Sequence, residues 1–233
     1  IDDPADRKWP LKMIYWSGPE GKNPAGLSAA RSADGIHWDF SPGQVLPHWG
    51  DRTNIMPERD GGKFVVYGRA PGMMGAPRSC RTVSRVESRD LLRWSKPELV
   101  IKPDAEDPPR LQIYSATVFR YESLYLGFIE RMHMAPDVLD PELCFSHDGR
   151  RWFRTRTREA FIDCGPACSW DGYWVNLPSS APVRRHGQLL FHYSGRSTGH
   201  THHAAYRVAA LGLAALRADG FCSLQAVEKE GWL

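Results

Sequence analysis

Short apolar runs, broken by turn residues at intervals of about eight to twelve positions, dominate the chain and predict strands along its whole length. Phe64, Val65, Val66 and Tyr67 form the most continuous of these runs. In order, the pattern predicts strands over 12–17 and 26–32 and one starting at Trp38, then 54–58, 63–69, 81–88 and one opening at Trp94. A third group covers 114–121, 124–131, 142–146 and 152–155; a fourth covers 174–184, 188–194, 204–217 and 221–224. Only residues 208–217 compete as a helix, and Asp219-Gly220 after them favours strand–turn–strand.

One phrase recurs between the groups. It reads Ser32-Ala33-Asp34-Gly35-Ile36-His37-Trp38, Ser88-Arg89-Asp90-Leu91-Leu92-Arg93-Trp94 and Ser146-His147-Asp148-Gly149-Arg150-Arg151-Trp152. The aspartates lie 56 and 58 residues apart, and a weaker copy, Ala218-Asp219-Gly220-Phe221, follows 71 residues later. Self-similarity at such a period is the mark of a repeat architecture. Asp-Gly between apolar runs predicts a tight hairpin, with Ser and Asp side chains bonding nearby backbone N–H groups. The Trp then falls early on the returning strand, and the three rings are expected at equivalent sites between adjacent sheets. Leu91 replaces the glycine of the other copies, which predicts a wider or differently shaped turn. Four strands per unit with a recurring hairpin make the blade of an all-β propeller.

The first unit lacks an innermost strand. The expectation is therefore a segment of a longer protein: a propeller domain over 1–224 with an incomplete first blade and a further blade upstream. Alternatively, the tail 225–233 supplies the missing strand or starts a C-terminal region.

Composition adds limits. At 233 residues and 26.3 kDa the chain can bury a substantial core. Its net charge of +3 is small and its basic residues are dispersed, which argues against a nucleic-acid groove. Arg154, Arg156 and Arg158 alternate as the solvent face of a strand would. No apolar run is long enough for a membrane span, and no signal peptide is recognisable at Ile1. The five cysteines form no CxxC pair; Cys164 and Cys168 could bridge a loop, but scattered thiols in a sheet are the simpler reading. Irregular spacing of Cys and His gives no metal site, and no cofactor is expected.

The Ser-x-Asp-Gly-x-x-Trp hairpins, with Lys63-Phe64-Val65-Val66-Tyr67-Gly68-Arg69 and Tyr114-Ser115-Ala116-Thr117-Val118-Phe119-Arg120-Tyr121-Glu122, resemble the five-bladed propeller glycosidases, similar to glycoside hydrolase families 32 and 43. The resemblance implies a five-bladed β-propeller, a carbohydrate substrate and, by analogy, a secreted or periplasmic protein. It also implies an active site at one mouth of the central channel, ringed by carboxylates from innermost strands. The Arg-Asp-Pro and Glu-Cys signatures of that group are absent here, so no catalytic residue is carried over from it.

The residues themselves offer candidates. Glycoside cleavage needs one protonated and one ionised carboxyl group flanking the scissile bond. Asp51 precedes the second unit's innermost strand, and Asp171, between Trp170 and Gly172, precedes the fourth unit's; each is equally readable as a turn-capping aspartate. Glu130 closes an apolar run, where partial desolvation suits a proton donor, the alternative being a salt bridge to Arg131, Arg69 or another basic group. Glu106 and Asp107 read as a solvated acidic loop. Arg52, Asn54, Arg69, Gln112 and Tyr114 stand near the same strand entries as expected substrate contacts. Trp170 and Tyr173 are expected to stack on a sugar, as Trp49 and Trp174 could, although interblade packing is the commoner use of such rings. His200 and His202 are expected to donate to hydroxyls from a loop. The competing reading is a non-catalytic propeller that binds carbohydrate or protein.

Overall fold

The computed structural model describes residues 1–58, 62–70, 80–201 and 208–222, and every regular element among them is a strand. β1 (Leu11–Ser17), β2 (Gly26–Ser32) and β3 (Trp38–Pro47) form one antiparallel sheet. A second contains β4 (Thr53–Pro57), β5 (Phe64–Gly68), β6 (Val83–Ser88) and β7 (Glu98–Ile101). The third unit is β8 (Leu111–Tyr121), β9 (Leu124–His133), β10 (Val138–Ser146) and β11 (Trp152–Arg154). The fourth is β12 (Trp174–Asn176), β13 (Val183–Arg185), β14 (Gln188–Arg196) and β15 (Ala209–Arg217), joined to the third by one parallel pairing, Leu139 with Trp174. These are the blades of a partial β-propeller. The helix alternative over 208–217 gives way to β15, which pairs along all of β14.

Each blade is held to the next by its own apolar core. Leu27 and Leu46 of the first blade meet Val66 and Val86 of the second around Trp49. Met56, Val65, Tyr67 and Val83 of the second meet Ile113, Val118, Tyr125 and Ile129 of the third. Phe119, Leu126 and Phe128 of the third meet Leu177, Leu189 and Phe191 of the fourth. β9 shows why its sequence is a continuous apolar run: successive side chains leave opposite faces of a strand, so Tyr125 and Ile129 enter one core while Leu126 and Phe128 enter the next. Burying each such side chain is worth about 1.5–3 kcal/mol.

The hairpins repeat down to their hydrogen bonds. In each, the aspartate accepts backbone N–H groups two and three residues on: Ile36 and His37 at Asp34, Leu92 and Arg93 at Asp90, Arg150 and Arg151 at Asp148, all at 2.8–3.0 Å. The expected difference at Leu91 is not found. Leu91 takes φ 63°, beside 77° at Gly35 and 69° at Gly149, so the same left-handed turn is built without glycine. The tryptophans are less uniform. Trp38 and Trp94 donate from Nε1 to the Gly35 and Leu91 carbonyls at 3.1 and 3.0 Å. Trp152 packs edge-on against Tyr67, 6.0 Å between ring centres, and its Nε1 has no partner among the described residues.

Three other expectations are corrected. The strand expected over 174–184 is interrupted: β12 and β13 pair with opposite ends of β14, and the gap holds Pro178 and Pro182, which cannot donate to the ladder. Arg154, Arg156 and Arg158 are not a strand's solvent face, because β11 stops at Arg154 and Arg158 has φ 53°. The Arg154 side chain, 7% exposed, binds Glu142 (2.6 Å) and Asp107 (2.6 Å), so Asp107 belongs to a sequestered ion-pair network rather than a solvated loop, while Asp104 and Glu106 stay exposed there. All five cysteines are free thiols, and Cys164 and Cys168 are not bridged. His202, part of the expected strand over 204–217, the end of that over 221–224 and the whole tail 225–233 lie outside the described residues.

Candidate functional site around Tyr114

Tyr114 is the centre of a polar cluster, and a bulge puts it there. β8 pairs Ile113 with Arg131 and Ser115 with Glu130, leaving Tyr114 as the extra residue. A bulge of this kind bends the strand and re-aims one side chain. The Tyr114 ring meets Trp174 and His200 at 5.5 Å each, and its hydroxyl lies 3.3 Å from His200 Nε2. The guanidinium groups of Arg69 and Arg81 stand over the same ring at 5.1 and 5.3 Å.

The carboxylates arrive from two blades. Glu130 and Arg131, adjacent on β9, diverge: Arg131 binds Asp140 and Glu142, whereas Glu130 binds Arg52 at the entry of β4. Glu130 is 1% exposed, and Arg52 donates from Nε to both its oxygens at 3.1 and 3.2 Å and from Nη2 to Oε1 and to the Leu177 carbonyl. Burial works against the charge on Arg52, and the Glu130 carboxylate more than offsets it, holding that guanidinium above its ordinary pKa. Asp51 is 53% exposed and pairs with Arg69. Burial and then Asp51 push the Tyr114 hydroxyl up, with Arg69 and Arg81 pulling the other way. His200 is shifted down by burial first and by Arg81 next, with Asp137 opposing. Asp137 holds the loop in place by accepting His200 N at 3.0 Å and Thr201 N at 2.8 Å.

Of the residues expected from sequence, Asp51, Arg52, Arg69, Gln112, Tyr114, Glu130 and His200 come together. Gln112 joins through its side-chain oxygen, which accepts from Arg81 Nη1. Asn54 is near but structural: its Nδ2 donates to the Ser179 carbonyl at 3.1 Å and its Oδ1 accepts Val118 N at 3.1 Å. Asp171 accepts from Ser169 Oγ at 2.8 Å in a turn closed by Gly165 N on the Asp171 carbonyl, and it is not among the strongest influences on Arg52, Arg81, Tyr114 or His200. Trp170 stacks on Tyr193 at 5.5 Å, and Tyr173 bridges strands through its backbone. Trp49 is buried in the first interblade core. Arg81 and Arg196 were not anticipated. Arg81 stands two residues before β6, and Arg196 stands over Trp174 at 4.6 Å; neither has a sequence signal. Among the described residues no three His, Cys, Asp or Glu side chains are placed to hold a metal ion.

No family model matches the chain, and no curated protein does. Solved structures match at the level of fold. An N-acetylgalactosamine deacetylase from F. plautii in complex with blood group B trisaccharide aligns with TM-score 0.62 and 17% identity, over 88% of this chain and 69% of that one. A putative glycoside hydrolase from Bacteroides ovatus aligns with TM-score 0.62 and 18% identity, over 90% of this chain and 65% of that one. A thermostable family-43 glycoside hydrolase aligns with TM-score 0.62 and 11% identity, over 95% and 73%. The chain thus spans about two thirds of the length of these structures, and it shares the propeller fold of glycosidase-like proteins.

Proposed function

We propose that the protein cleaves a glycosidic bond at the Tyr114 end of the channel, with Asp51 and Glu130 as the carboxyl pair. The observation that supports this most directly is that Glu130, from β9, pairs with Arg52, while Asp51, from the entry of β4, pairs with Arg69, whose guanidinium stands over Tyr114, although the two carboxylates are far apart in sequence. The likeness of fold to glycoside hydrolases supports it more weakly, since one fold hosts many activities. Asp171, the third carboxylate expected in this role, serves its own turn and is left out of the pair. Hydrolysis then requires that substrate oxygens take over part of the hydrogen bonding that Arg52 and Arg69 now supply to the two carboxylates.

The test is turnover on a panel of arylglycosides and oligosaccharides with Glu130→Gln and Asp51→Asn beside the parent protein. Loss of a positioned acid or base is expected to lower kcat by about 10²–10⁴-fold. The variant that flattens the alkaline limb of the pH–rate profile identifies the proton donor, and the one that flattens the acid limb identifies the base. Unchanged rates in both remove the pair. A second reading, a propeller that binds carbohydrate without cleaving it, is favoured by the fact that both carboxylates are already ion-paired; it predicts sugar binding with no turnover in any form.

A further inference from the structure

The Tyr114 cluster holds more positive charge than its carboxylates answer. Arg52 is matched by Glu130 and Arg69 by Asp51. Arg81 has no such match: its Nη1 donates to Gln112 Oε1 and lies 3.7 Å from Met132 Sδ, and no carboxylate ion-pairs with it among the described residues. The same is true of Arg196, whose guanidinium covers Trp174, the ring stacked on His200 at 5.5 Å. Asp137 is engaged by the backbone of His200 and Thr201 and by the Thr201 hydroxyl. Arg69 and Arg81 both stand over the Tyr114 ring, and their mutual repulsion adds to burial in pulling the Arg81 pKa down. Like charges held together on stacked rings, with planar donor forks left over, match an anion with several oxygens better than they match neutral hydroxyls.

We propose that this end of the channel binds an oxyanion carried by the ligand, the carboxylate of a uronic acid residue in a glycan, with Arg81 as its principal donor and Arg69, Arg196 and His200 around it. The inference rests on the glycoside reading of the same site and names the class of sugar. Free inorganic phosphate offers the same chemistry and is the other source to be distinguished.

The experiment is calorimetric titration of the protein with galacturonic and glucuronic acid, with galactose and glucose as neutral twins, and with inorganic phosphate. The expected result is at least about tenfold tighter binding of the acids than of their twins, the scale of one charge-assisted hydrogen bond. Arg81→Gln should bring the acids to parity with the neutral sugars, and Arg81→Lys should recover part of the preference. Phosphate binding with the same Arg81 dependence, and no preference for the uronic acids, overturns the sugar assignment in favour of free phosphate. Equal binding of acids and twins without phosphate binding overturns the oxyanion site, as does a preference that survives in Arg81→Gln. The comparison within the parent protein stands even where a variant does not fold. Turnover on neutral arylglycosides reports separately on the hydrolase reading, so the two can fail independently.

Discussion

Leu91 sits at φ 63° with its side chain 4% exposed, where the two equivalent turns carry glycine. Two effects oppose each other there. A left-handed non-glycine residue costs about 1–2 kcal/mol, whereas truncating a buried leucine costs about 2–5 kcal/mol, and glycine adds about 0.5–1 kcal/mol of backbone entropy to lose. Leu91→Gly is therefore expected to destabilise the protein by about 0.5–5 kcal/mol despite restoring the consensus of the repeat. A denaturation midpoint at or above that of the parent would show that strain outweighs burial. Single residues were also where the sequence was least complete about the site. A carboxyl at the end of the apolar run 124–129 marks Glu130 as buried, but its partner Arg52 lies 78 positions away, and nothing local announces the pairing. Arg81 and Arg196 were silent for the same reason. Their role comes from which rings they cover, and the fold alone decides that.

Strands were legible because each of their inner positions faces an interblade core, so apolar runs and turn residues alternate with little interference. β4, β5, β6, β8 and β9 match the expected spans to within three residues at each end. The departures occur where a tertiary demand overrides local pattern: the prolines that split β12 from β13, and Arg154 at the end of β11 and Arg158 beyond it, which turn to acids. β9 of the third blade is tightly packed at its one glycine. A Cβ on Gly127 would lie 2.8 Å from both Cys144 Sγ and Trp152 Cζ3. Neither neighbour can retreat, since Cys144 is fully buried and Trp152 is wedged against Tyr67. Overpacking of this kind costs about 1–3 kcal/mol. Gly127→Ala should lower the thermal midpoint accordingly, and the paired variant Gly127→Ala with Cys144→Ala should recover part of it. No recovery would place the strain in the backbone instead.

At the scale of the whole molecule, the repeated aspartates contribute to the response to acid. The His37 ring and amide hold Asp34 well below the usual carboxylate range, the Arg93 amide does so for Asp90, and the Arg151 amide lowers Asp148. Glu87, bound by Lys63 and then Arg85, falls to about 2. Because these folded-state values are depressed, the unfolded chain takes up more protons as pH falls, and the stability these groups provide is present above about pH 4 and lost below it. The urea midpoint should be flat above about pH 5 and decline steadily from about pH 4 to pH 2, with a shallower decline in Asp90→Asn. A midpoint unmoved across that interval would mean the turns contribute nothing through their charge. The split innermost strand of the fourth blade has a different consequence. Its three successive carbonyls, at Leu177, Pro178 and Ser179, accept from Arg52, Thr117 and Asn54. In a repeat protein each unit contacts mainly its neighbours. Here deletion of the second blade would strip two of those carbonyls of their donors, and a unit inserted between the third and fourth blades would separate all three from them, so the order of these blades is held by backbone groups that no repeat consensus records.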